Sequence, residues 1–156
     1  MIKACAIVDK GLEKIALLEL EETIKAKGTA EDGGVIFECK DYDQLLTFCY
    51  KTQSARRVLL LLDSFNFKTQ DDITKKVKES LKSIELKVWL EKGKSFKVDC
   101  ERIGKHPFGS QSIEEEIGER IIFAAKESLG FMPNASMKSP DTTFYVIINH
   151  DKAYFG

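Results

Sequence analysis

No Cys-x-x-Cys pair, no purely apolar run longer than five residues and no glycine-rich phosphate loop occur in this chain of 156 residues. Each absence removes a class of function. Cys5, Cys39, Cys49 and Cys100 stand at no ligand spacing from one another or from His106 and His150, which argues against a zinc site or a disulfide framework. Free thiols, mostly buried as small hydrophobes, are expected. The run Val58–Leu62 is far short of the roughly 20 residues that span a bilayer. The apolar stretch near Met1 is too short for a secretory signal, so a cytoplasmic protein is expected, with no membrane partner. Without G-x-G-x-x-G, an Asn-Pro-Pro-Tyr type motif or a P-loop, these residues offer no place for a nucleotide cofactor. His106 and His150 lack a companion Ser, Cys or carboxylate pattern, so no catalytic residue and no metal site are expected. Three prolines, a hydrophobic fraction of 43% and a charged fraction of 31% exclude wholesale disorder. A net charge of −1 gives no global attraction for nucleic acid, so any such affinity must come from a local patch.

What is present is well punctuated. Residues 1–8 read as a buried strand, and Leu12, Ala16, Leu20 and Ile24 form one face of a helix that Gly28 is placed to stop. Gly33-Gly34 supplies the turn of a hairpin over 29–39. Asp41 or Asp43 can cap a helix carrying Tyr42, Leu45, Leu46 and Cys49, and Val58–Leu62 follows as a strand. The order β-α-β-β-α-β is that of a ferredoxin-like unit. The polar stretch 63–70 reads as a passage into a second module, whose first helix opens at Asp71 or Asp72 and carries Ile73, Val77 and Leu81. Residues 84–91 match no single period.

Phe96, Val98 and Cys100 alternate with Lys97, Asp99 and Glu101 as a strand, with Arg102 beyond its well-patterned part. Ser112 with Glu115 fits a capping box for a helix with the buried stripe Ile113, Ile117, Ile121 and Ala125, and Gly118 within it suits close packing on a strand. Strands over 142–148 and 153–155 follow. Ending on Tyr154-Phe155-Gly156, directly after a strand, suggests a polypeptide that continues.

The local patch lies between these last elements. A helix start exposes unpaired amides and the positive end of its dipole, so Gly109–Ser112 is a candidate anion seat. Arg102, Lys105 and His106 precede it, and Lys92, Lys94 and Lys97 lie upstream. The alternative is a capped helix, a core-plugging Phe108 and solvated basic residues.

Phe96-Lys97-Val98, Arg102, Gly104–Phe108, Ser110-Gln111 and Glu116-Ile117-Gly118 resemble the THUMP pattern of a strand, a basic turn and a Ser-bearing helix with an internal glycine. Thr142–Gly156 resembles its closing strands. Gly11-Leu12-Glu13, Leu18-Glu19-Leu20 and Ser54–Leu60 resemble the ferredoxin-like domain that precedes THUMP in several RNA-modifying enzymes. The resemblance implies an α+β chain, a ferredoxin-like module over 1–64 followed by an α/β THUMP module over 65–156. It implies an RNA-binding unit, typically for tRNA, most similar to the front half of AdoMet-dependent tRNA guanine N2-methyltransferases. AdoMet and the methyltransferase domain would then lie in a part of the protein outside this chain, which itself needs no cofactor. Lys94, Lys97, Arg102, Lys105, His106, Phe108, Ser110 and Gln111 are the expected RNA contacts, and a monomer is expected. A stand-alone adaptor presenting tRNA to a separate enzyme, or an interaction domain without RNA, are the alternatives.

Overall fold

The computed structural model describes all residues 1–156, which form two compact units, Met1–Leu61 and Leu62–Gly156. In the first, β1 (Ile2–Val8), α1 (Glu13–Ile24), β2 (Gly28–Glu31), β3 (Gly34–Cys39), α2 (Tyr42–Lys51) and β4 (Ala55–Leu60) follow the expected order. The antiparallel sheet runs β2-β3-β1-β4, the ferredoxin-like arrangement. Ala4, Ala6, Val8, Val35, Phe37 and Cys39 face one side, where Ala16, Leu20, Ile24, Leu45 and Phe48 cover them. Two details differ from the sequence reading. Helix α1 ends at Lys25, itself left-handed with φ 54°, and Gly28 opens β2 instead of stopping the helix. In α2, Leu45 and Phe48 are buried while Tyr42, Leu46 and Cys49 are exposed. Asp41 is the cap, accepting from the Gln44 amide at 2.9 Å.

Glu19 locks the approach to β4. Its carboxylate accepts from the Thr52 hydroxyl at 2.6 Å and the Ser54 hydroxyl at 2.8 Å, with the Gln53 and Ser54 amides at 3.2 and 3.3 Å. Burial pulls this carboxyl upward, but the donated hydrogen bonds outweigh it and hold it below the ordinary 4.5. A lowered folded pKa stabilises fully above the unfolded value and is lost as pH falls through the folded one. Glu19→Gln is therefore expected to lower the urea midpoint at neutral pH, and the gap to the parent should close below about pH 4.

The second unit contains β5 (Asp63–Asn66), α3 (Gln70–Ser83), a 3-10 turn (Leu86–Val88), β6 (Ser95–Ile103), α4 (Ser110–Leu129), β7 (Asn134–Ala135), β8 (Thr142–Asn149) and β9 (Lys152–Phe155). The sheet order is β5-β9-β8-β6-β7. The 63–70 stretch is therefore a strand paired with β9 over Asp63–Asn66, and the unit boundary falls after Leu61 instead of after Ser64. Thr69, not Asp71 or Asp72, caps α3, in a reciprocal capping box with Asp72. The 3-10 turn buries Leu86 and leads to buried Leu90, giving the unassigned segment a core role.

β6 and β8 pair in parallel from Phe96↔Thr142 to Ile103↔Asn149, with α4 as the crossover helix. Phe96, Val98, Phe144, Val146, Ile148, Ala153 and Phe155 meet Ile73, Val77 and Leu81 of α3 and Ile113, Ile117, Ile121 and Ala125 of α4 in one core. Gly118 does not pack closely on a strand, because a Cβ built there meets no atom within 4 Å. Gly118→Ala is thus expected to raise stability by about 0.5–1 kcal/mol through helix propensity alone, read as a higher urea midpoint at unchanged slope.

Candidate nucleic-acid interface

The turn between β6 and α4 is held by the β8–β9 hairpin. The His150 amide donates to the Ile103 carbonyl at 2.9 Å, extending the ladder one residue past β8. Gly104 follows at φ 102°, with the place of its missing Cβ only 2.7 Å from His150 Nδ1. The His150 carbonyl in turn lies 2.7 Å from His106 Nε2. A carbonyl only accepts, so Nε2 carries the proton. His106 stacks on Phe108 with centroids 5.3 Å apart and lies 6.0 Å from the Phe67 ring. Its Nδ1 is enclosed without a partner. His106 is therefore a brace for the turn, and Phe108 packs against the core beside it.

β6 runs to Ile103, so the strand continues through Arg102. It falls on the face of Phe96, Val98 and Cys100, toward α4. There its Nε donates to Ser110 Oγ at 3.1 Å. Ser110 is the first helical residue, and Gly109 is the N-cap, with no side-chain cap and no acidic residue in the first turn. The expected Ser112–Glu115 capping box is absent. Ser112 Oγ accepts from Gln70 Nε2, and Glu115 accepts from Gln111 Nε2 at 2.9 Å. The first-turn amides thus have no side-chain acceptor, which is the condition for an anion seat.

The basic residues divide into two groups. Lys94 pairs with Asp141 at 3.8 Å and Lys97 with Asp99 at 2.8 Å. That pairing raises the Lys97 ammonium, chiefly through the Asp99 hydrogen bond. Arg102 and exposed Lys105 have no carboxylate within ion-pair distance. Cys100, under the same helix start, is half-buried, and burial pushes its thiol up to about 11, so it is uncharged at neutral pH.

Two residues carry structural roles that the sequence pattern does not assign to them. Glu114 accepts from the Cys100 amide at 2.8 Å, and Glu116 takes Gln70 Nε2 at 2.7 Å and the Thr74 hydroxyl at 2.5 Å. Both sit in the acidic run 114–116. No group of three or more His, Cys, Asp or Glu residues is arranged to hold a metal, and no helix is long and apolar enough to cross a membrane.

Residues 67–156 match the family described as the THUMP domain. A tRNA (guanine(6)-N2)-methyltransferase of Archaeoglobus fulgidus is 26% identical over 157 aligned residues, covering 100% of this chain and 38% of the relative. A probable tRNA sulfurtransferase of Saccharolobus islandicus is 31% identical over 85 residues, 54% of this chain and 19% of its own length. Among solved structures, TrmN from Thermus thermophilus superposes over 100% of this chain and 45% of its own, with a TM-score of 0.70 at 23% identity. The chain spans less than half the length of each of these proteins.

Proposed function

The chain belongs to the THUMP domain family, and on that premise we propose that it is the tRNA-binding part of an RNA-modifying enzyme. The observation that carries this reading is the pair Arg102 and Lys105, without carboxylate partners, beside the uncapped start of α4. A backbone phosphate seated on the first-turn amides receives N–H donors already oriented by the fold. The Ser110 hydroxyl fixes one edge of the guanidinium, leaving its remaining donors for a phosphate. Lys105 adds a solvated charge, Lys94 and Lys97 contribute through a field already partly neutralised, and Gln111 stands at the same mouth. His106 and Phe108 act by holding the turn in place.

The reaction we assign to the whole protein is AdoMet-dependent tRNA methylation by a domain outside these residues. The match to the methyltransferase runs through both units, whereas that to the sulfurtransferase covers 54% of the chain. AdoMet would be held by that other domain, and the location would be cytoplasmic. Titrating unmodified tRNA against the 156-residue chain tests the binding role. Saturable binding is expected at about 10⁻⁴ to 10⁻⁶ M in physiological salt, weakening steeply as salt rises. Absence of saturable binding even at low salt would refute it. Methyl transfer by this chain given AdoMet would show that the catalytic centre had been placed wrongly.

A further inference from the structure

β6 is left half-paired along its outer edge. β7 pairs in parallel with Ser95 and Phe96 only, and Ser136 closes the contact by donating to the Phe96 carbonyl at 2.9 Å. Backbone groups alternate sides along a strand. Since the Phe96 carbonyl faces outward and the Ile103 carbonyl faces the β8–β9 turn, the backbone of Val98, Cys100 and Arg102 faces the outer edge. The Glu114 carboxylate takes the Cys100 amide at 2.8 Å, where the carbonyl of a neighbouring strand would otherwise lie.

Alongside this edge runs a groove of about 530 Å³ between β6 and α4. Phe96 and Val98 line it from the strand, Gly118 and Ile122 from the helix, and Ala135 and Met137 close one end. Gly118 keeps it open, since nothing lies within 4 Å of where its Cβ would stand. Glu114, Glu115 and Glu119 also line it, while the lone cation there, Lys97, is paired with Asp99.

We propose that this groove is a docking site for an extended, lysine- or arginine-bearing segment of a protein partner, which adds to β6 as an outer strand. Such a segment offers amides and carbonyls to Val98, Cys100 and Arg102, and alternate apolar side chains to the groove. Its basic side chains meet Glu114, Glu115 and Glu119, drawing Glu114 away from the Cys100 amide as the new strand's carbonyl takes that place. The groove adjoins the tRNA seat, since Lys97 and Gln111 line it too, but its acidic rim disfavours an RNA backbone here, and the docking proposal does not depend on the tRNA-binding reading.

The test uses the full chain and a capped heptapeptide of alternating lysine and valine, with a glutamate–valine peptide and a backbone N-methylated lysine–valine peptide as controls. Saturable binding of the lysine–valine peptide alone is expected, with slowed amide exchange at Val98, Cys100 and Arg102. Gly118→Leu, which fills open space, and Glu114→Gln with Glu119→Gln should each weaken it at least tenfold while leaving tRNA binding unchanged. Equal binding of the N-methylated peptide, indifference to Gly118→Leu, or no binding at millimolar peptide would overturn the proposal. So would self-association of the chain through this edge, or loss of tRNA affinity in Gly118→Leu.

Discussion

Reversing Arg102 and Lys105 together to glutamate is expected to weaken tRNA binding about 100-fold at low salt, from roughly 1.5 kcal/mol for each charge-assisted contact removed. These two cations are chosen because no carboxylate neutralises either, in contrast to Lys94 and Lys97. If each meets one phosphate, the slope of log affinity against log salt should fall by roughly 0.7–0.9 per residue. Reversal of Lys40 and Lys51, both exposed on the first unit, is the control and should cost much less. The milder pair Arg102→Gln and Lys105→Gln should fall between, and thermal melts monitored by circular dichroism should show all variants folded. Equal losses from both pairs would point to diffuse electrostatics. Unchanged affinity in the Arg102 and Lys105 variants would remove the site at the start of α4.

Gly104→Val is expected to destabilise the second unit by about 2–5 kcal/mol and to abolish tRNA binding with it. Two costs combine. A β-branched residue at φ 102° is held in a region that L side chains avoid, and its Cβ would stand 2.7 Å from the His150 ring. A urea midpoint measures the total, and a double-mutant cycle separates the parts. His150→Gly removes the ring while suiting that residue's own positive φ of 53°, so Gly104→Ala should cost less in the His150→Gly background than in the parent. The residual cost is the backbone term. An equal cost in both backgrounds would mean that the ring contact is slack.

The fold was legible where local signals agree with one another. A hairpin turn stands where the Gly33-Gly34 pair points, although it falls on Asp32-Gly33, with the positive φ at Gly33 and Gly34 already opening β3, and the stripe Ile113, Ile117, Ile121, Ala125 has one reading. Helix α2 shows the opposite case, since Leu45–Phe48 and Tyr42–Leu46–Cys49 both have helical spacing. Only the sheet beneath decides that the first stripe is buried. At the start of α4, Ser112 and Glu115 satisfy a capping pattern, yet the chain turns earlier because Arg102 reaches Ser110 and Gln70 reaches Ser112. Sequence spacing does not carry such distant partners. For the same reason the roles of Glu114 and Glu116, whose carboxylates serve an edge amide and a second helix, are not legible in the sequence. Gly104 and His150, 46 positions apart along the chain, become a single turn only through the parallel pairing of β6 with β8.

That β9 lies between β5 and β8 has a consequence for the order in which the molecule is born. The first unit needs only residues up to Leu61, so it can form while the rest is still being made. In the second unit β5 has no strand beside it until Lys152–Phe155 leaves the ribosome, and β8 lacks its outer neighbour for the same interval. At roughly 5–20 residues per second, β5 waits several seconds as an orphan strand. During that time the best available shelter for its neighbours is α3 on α4, whose contacts are already encoded upstream. A nascent chain held with its residues emerged only as far as Asn149 should therefore show a collapsed but protease-sensitive second unit, and emergence of the last strand should act as the latch.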